Sequence, residues 1–270
     1  MFALKLALVA ASILLASLAA RRFGHGVSGT LGGMPMIAGP IMGFVLLEQP
    51  AAHARAIALA TLVCVPAMVL HMITFAHAAR RLRWPGALLA ANLVFVAAGW
   101  ALSRLSLPLV AVCALGLLSP LAGMALIRRR DTTDARGDAR GNALTVTIPR
   151  AELVLRVAVA IVLAAGIMQG AAVLPALASG LLLALPINGN VLPCFTLPRH
   201  GAAATAALLR GFMWGVFGFV SFFVALVALL PLGGAGLAYT LAWLAALLVA
   251  VSVYAARWRV RFGSSSAPAR

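Results

Sequence analysis

The sequence predicts an all-α, polytopic integral membrane protein of about nine transmembrane helices, built as two inverted-topology repeats with one interrupted helix in each. Composition is the first of three observations behind this reading. Of 270 residues, 64% are hydrophobic and only 10% charged, with a mean hydropathy of +1.08. Soluble domains are about a quarter charged. An internal repeat is the second observation. Ser28–Glu48, SGTLGGMPMIAGPIMGFVLLE, returns 151 residues later as Ser179–Arg199, SGLLLALPINGNVLPCFTLPR, with no gap. Ser28/Ser179, Gly29/Gly180, Leu31/Leu182, Pro35/Pro186, Phe44/Phe195 and Leu46/Leu197 are identical. Leucine matches come cheaply in an apolar chain, so the Ser-Gly pair and the shared proline carry the weight. The third observation is the placement of arginine, which depends on the order of the elements.

Residues 2–20 form the first apolar run. Lys5 ahead of it and SLAA behind it are also what a secretory signal peptide would show. Arg21 and Arg22 directly after the run, and the repeat offset that pairs Lys5 with Arg156, favour a spanning helix. The interrupted helix follows at about 27–48, then a loop at 49–54 and a long helix at 55–79 kinked at Pro66. The basic connector His77–Gly86 leads to helices at 86–103 and 106–127. The hydrophilic stretch Arg128–Pro149, with Asp131, Asp134 and Asp138, reads as a solvated loop. Helices at about 152–170, 173–197, 202–230 and 235–256 complete the second half. The repeats therefore occupy 1–127 and 152–256, with a polar cytoplasmic loop at 128–151 and a basic tail, RWRVRFGSSSAPAR, at 257–270.

Lys and Arg number 21 against five Asp and Glu, a net charge of +16. In a soluble protein that balance would point to nucleic acid, but no RNA-binding motif or basic-aromatic surface accompanies it. The arginines gather instead at helix ends. With the N-terminus outside, the inner connections hold Arg21, Arg22, Arg80, Arg81, Arg83, the arginines of the polar loop, Arg199 and those of the tail. Outside, only Arg55 and Arg104 accompany Lys5. The positive-inside rule orients such a chain N-out and C-in. Five spans in the first unit start the second on the opposite side, which makes the repeats inverted. Lysine occurs once, beside abundant arginine and alanine, as in GC-rich bacteria; an inner (cytoplasmic) membrane is the expected location.

Two prolines mark each interrupted segment, Pro35 and Pro40 in the first, Pro186 and Pro193 in the second. Proline removes a backbone donor and clashes with the carbonyl four residues back. Groups freed in this way are tolerated in hydrocarbon only when buried in protein or lining a cavity. The substrate-binding candidates are accordingly Pro35, Gly39, Pro40, Asn188, Asn190 and Pro193, the two carboxamides lying opposite Ile37 and Gly39 of the first repeat. Gate or coupling candidates are Glu48 near the outer face, its repeat counterpart Arg199 with His200 near the inner face, His71 inside the third span, and Arg210, which either snorkels or faces an inner vestibule. Glu152 has Arg156 as its natural partner one helical turn on.

Other chemistries find little support. Cys64, Cys113 and Cys194 are isolated in apolar settings, against a disulfide framework or a redox pair. No His, Cys and Asp spacing suits a metal, and no cofactor is expected. Gly26-Val27-Ser28-Gly29 resembles the G-x-S-G of rhomboid intramembrane proteases, with His71 as an imaginable base. Ser28 belongs to the repeat, however, and its counterpart Ser179 follows Leu-Ala, with no glycine in the matching place. P-loop, HExxH and GxSxG motifs are missing and paired acids are lacking within the membrane, so ATP-driven pumping by this chain alone is not expected, and neither is an enzyme.

The expected function is that of a small secondary transporter, a permease or exporter, for an anionic or zwitterionic small molecule held between 35–40 and 186–193 and exposed to each side in turn. A lipid flippase is the alternative within transport and requires a groove open sideways to the bilayer. A non-transporting subunit or scaffold for a partner enzyme, using the arginine-rich inner face, is the alternative from another class. The expected partners are the lipid bilayer and a small-molecule or lipid substrate, without nucleic acid; a homo-oligomer is compatible with all of these readings.

Overall fold

A computed structural model of the chain describes residues 2–127 and 149–263. Every element among them is a helix: α1 (Phe2–Phe23), α2 (His25–Gly33), α3 (Ala38–Glu48), α4 (Ala51–Val63), α5 (Val65–Ala78), α6 (Trp84–Ser103), α7 (Leu109–Leu126), α8 (Arg150–Val173), α9 (Ala176–Ala184), α10 (Ile187–Leu229) and α11 (Ala235–Gly263). Seven helical stretches among the described residues are long and apolar enough to cross a bilayer. The chain is a helical, multi-pass membrane protein. The polar segment 128–148 and the tail from 264 lie outside the described residues.

Proline sets both interruptions. The residue before a proline is pushed out of the helical region, and Met34 (φ −72°, ψ 162°) and Leu185 (φ −61°, ψ 120°) are both extended. α2 and α9 each hold nine residues, and both of their ends lie 151 positions apart. Pro40 falls in the first turn of α3, where its missing N–H costs nothing. α10 holds a further break at Gly201 (φ 74°, ψ −178°), a conformation essentially reserved for glycine. It divides α10 into 187–200 and 202–229.

Three boundaries differ from the sequence reading. The helix expected at 55–79 is two, α4 and α5, joined at Cys64 with Pro66 in the first turn of α5. Proline fits a first turn better than an interior, so the chain restarts there. The expected loop 49–54 shrinks, because Pro50 (φ −55°, ψ 142°) takes up the turn and α4 begins directly after it. At the far end, α11 runs on to Gly263, so the first half of the basic tail continues a helix.

Glycine lets helices cross at backbone distance, and this fixes the interior. Gly26, Gly29 and Gly33 of α2 pack on the 208–215 stretch of α10, Gly33 meeting Gly215 and Gly26 meeting Gly211, so the G-x-x-x-G patterns of both helices lie in the seam. A Cβ on Gly29 would fall on the Leu208 carbonyl, one on Gly211 on the Gly26 carbonyl, and one on Gly215 on the Thr30 carbonyl. The Thr30 hydroxyl crosses the seam to the Gly211 carbonyl at 3.1 Å. The second interrupted helix is gripped likewise: Gly180 of α9 lies against the backbone of Ala60 and Thr61 in α4. Gly29 meets the amide of Phe212 and Gly180 the amide of Thr61. Each pair becomes the other when 151 is added to one member and subtracted from its partner.

Candidate functional site

Both interruptions open onto one narrow cleft with a cavity volume of about 30 Å³. Gly32–Met34, Ile37, Ala38 and Ile41 supply one wall and Leu182–Asn188 the other, with Met68, Phe212 and Phe219 completing it. The chain thus presents two helix C-termini, of α2 and α9, and two helix N-termini, of α3 and α10, to one small volume. Neither N-terminus is capped by a side chain. C-terminal carbonyls and N-terminal amides have opposite partial charges, so the cleft holds both signs close together.

Of the six expected substrate residues, Asn188 alone lines this cleft. Residues two apart on a helix point about 200° from each other, and that geometry separates the two carboxamides. Ile37 and its counterpart Asn188 face the cleft; Gly39 and its counterpart Asn190 face neighbouring helices. A Cβ on Gly39 would strike the Trp243 ring, and the Gly39 carbonyl accepts the Tyr239 hydroxyl at 3.2 Å. Pro35, between Met34 and Ile37, makes the break and is buried. Pro40 and Pro193 stand off the wall, in the first turn of α3 and inside α10.

Asn190 belongs to a buried polar group that ties three helices together. Its Oδ1 lies 2.9 Å from His71 Nε2 of α5 and accepts from Asn92 Nδ2 of α6 at 3.1 Å. Asn92 Nδ2 also donates to the Leu88 carbonyl, which fixes that amide. An Asn92 nitrogen facing Asn190 requires an oxygen there, so His71 donates from Nε2. The His71 Nδ1 lone pair has no partner among the described residues, in a side chain with no exposure. His71 is thus no isolated histidine. Asn92 escaped the sequence reading, although an amide inside the apolar run WPGALLAANLVFVAAGWALS is itself a signal.

Charge collects at one end of the bundle. Glu152 of α8 accepts from Arg156 Nε at 3.0 Å and pairs with Arg199 Nε at 2.7 Å. Glu152 and Arg156 are buried while Arg199 is about half exposed. The guanidinium of Arg156 also lies over the Phe195 ring, 5.2 Å from its centroid. The rings of His25 and His200 meet at a tilt of 55° beside the Gly201 break, 4.8 Å between centroids. Arg199 therefore joins α8 to the 187–200 half-helix. Glu48, its repeat counterpart, ends α3 and is exposed.

Arg210 does something more local. Its Nη1 donates to the carbonyls of Met124 (2.7 Å) and Ile127 (2.9 Å), closing the C-terminal turn of α7. A cation there complements both the orphan carbonyls and the helix dipole. Arg210→Met keeps the stem and loses the cap. It should cost about 1–3 kcal/mol, read as a lower thermal midpoint in detergent with the oligomeric state unchanged.

Among the described residues, no group of three His, Cys, Asp or Glu side chains is placed to hold a metal. No family model, curated protein or solved structure matches the chain.

Proposed function

We propose that the chain is a small secondary transporter working by alternating access around its two broken helices. One observation carries this: two matched interruptions, 151 residues apart, face each other across a single cleft. Broken helices that meet around a substrate near the bilayer midplane are the usual architecture of inverted-repeat transporters. The exchange symmetry of the Gly29–Phe212 and Gly180–Thr61 approaches supports two repeats related by a two-fold axis. Counting α2 with α3, α4 with α5, and α9 with residues 187–200 as single passes gives nine crossings. An odd number before the second repeat inverts it. The arginine bias then sets the N-terminus outside and the C-terminus inside a bacterial inner membrane.

In this reading the Glu152–Arg156–Arg199 cluster closes the inner side, and Glu48 stands at the outer one. The His71–Asn190–Asn92 group couples the 187–200 half-helix to α5 and α6, so that movement of the half-helix is felt by the helices packed around it. Asn190→Ala removes the acceptor shared by two buried donors, a loss of about 1–3 kcal/mol for each group left unpaired. We expect solute counterflow in proteoliposomes to fall about tenfold or more, with folded protein still recovered from the membrane. Undiminished exchange by that variant would remove the group from the transport cycle. A wild-type chain that exchanges no solute, yet co-purifies with a stable partner, would favour the scaffold reading.

A further inference from the structure

Each of the two half-helices that meet at the cleft is fastened, in the first turn after its break, to a different pair of helices. Burial recurs along the chain with the 151-residue offset: Ala87, Ala91 and Phe95 of α6 are buried, and so are Ala238, Ala242 and Ala246 of α11. The same offset pairs Asn190 with Gly39, Asn92 with Trp243 and His71 with Phe222. The three polar residues form one contact, with Asn190 Oδ1 2.9 Å from His71 Nε2 and 3.1 Å from Asn92 Nδ2. Their counterparts form another. A Cβ on Gly39 would fall on the Trp243 ring, whose centroid lies 5.3 Å from that of Phe222. The Tyr239 hydroxyl closes this second contact by donating to the Gly39 carbonyl at 3.2 Å. Position 71 thus needs no polar side chain for shape, since phenylalanine fills its counterpart.

The two contacts lie toward opposite ends of the bundle. His71, ahead of the end of α5, and Asn92, beyond the start of α6, each stand about 10–12 Å of helix from the connector that carries Arg80, Arg81 and Arg83. Phe222 and Trp243 have the same spacing from the connector 230–234, which carries no charge. From its contact the 187–200 half-helix runs toward Arg199, and α3 runs from its own toward Glu48. We propose that these contacts are paired latches on the cleft: the Asn190–His71–Asn92 hydrogen bonds hold the inner side shut, and the packing of Gly39 on Trp243 and Tyr239 holds the outer side. The proposal rests on the transporter reading and its orientation. Two positions before each latch, Asn188 and Ile37 face the cleft, so releasing one half-helix withdraws the wall on one side alone. The latches also differ in chemistry. Water entering from inside can take over the hydrogen bonds of Asn190. It offers nothing to the rings around Gly39, whose wetting exposes apolar surface. The inner side therefore opens more readily than the outer.

The test reads access to Ala184→Cys, on the cleft wall, in the full-length chain with Cys64, Cys113 and Cys194 each changed to alanine. The probe is a membrane-impermeant sulfonated maleimide; spheroplasts present the outer face and inverted vesicles the inner. Asn190→Ala should raise labelling from the inner face by about threefold or more, the worth of its lost hydrogen bonds, without raising it from the outer. Trp243→Ala should do the reverse. Two milder variants keep the test decisive where these fail to fold. His71→Phe takes the counterpart residue and removes one donor to Asn190, and Tyr239→Phe removes only the hydroxyl on Gly39. They should shift labelling in the same two directions. A rise on both faces, on the opposite face or on neither overturns the assignment. Counterflow separates the two levels. Side-specific labelling without exchange of any solute keeps the latches and sinks the transporter; exchange with labelling indifferent to side keeps the transporter and sinks the latches.

Discussion

Gly215→Leu should leave almost no folded protein in the membrane fraction. A side chain at that position starts on the Thr30 carbonyl and against the backbone of Gly33, not against the flexible end of another side chain. Helices that touch through their backbones can accommodate a Cβ only by moving apart. Separation would break the Thr30–Gly211 hydrogen bond and open the wall around Phe212, which lines the cleft. Overpacking a close-packed core costs about 1–3 kcal/mol, occasionally more, and a backbone collision belongs at the upper end. Gly180→Leu should behave alike, since its added carbon meets Ala60 and the backbone at Thr61. Gly234→Leu is the control, with nothing within 4 Å of the added atom. Fluorescence-detected size exclusion reads all three; a monodisperse Gly215→Leu peak at wild-type yield would show that the seam is looser than the backbone distances require.

The second large effect is at Glu152. This carboxylate holds two arginines, and one of them, Arg156, is as buried as Glu152 itself. Removing one partner of a buried ion pair strands the other charge, a loss of about 3–5 kcal/mol. Glu152→Ala is therefore expected to lower the thermal midpoint more than any other charge deletion in the chain. Replacing both, as Glu152→Ala with Arg156→Met, removes the stranded charge and should recover at least half of that loss. A double variant no more stable than the single would mean that Arg156 finds other partners, and the cycle of single and double changes measures this directly.

Much of this architecture can be read in the sequence because its causes are local. Pro35 and Pro186 dictate where α2 and α9 stop, whereas Pro120, Pro193 and Pro198 lie inside helices that continue through them. The pairing of Glu152 with Arg156 follows from their four-residue spacing. What the sequence conceals is which face of each half-helix turns inward. Asn188 and Asn190 look equivalent in INGN, yet one lines the cleft and the other binds His71 and Asn92, because the helix rotates between them. Arg210 posed the same difficulty: its partners Met124 and Ile127 are more than 80 residues away and contribute only backbone carbonyls, which carry no sequence signature. The glycine seam was legible in principle, since GTLGG and GFMWG are both close-approach patterns; only the fold pairs them with each other.

That pairing has a consequence for how the chain is made. α2 leaves the ribosome well before residues 202–229, on which it finds its groove, while α9 docks on the earlier α4. Neither half can bury its glycine face alone. The first spans must wait in the bilayer with an open seam and an unfilled break until the opposite half inserts, and a chain truncated after α7 should be an early target for membrane quality-control proteases. The same reciprocity means that the two halves, expressed as separate polypeptides, carry all the surfaces they need to find each other.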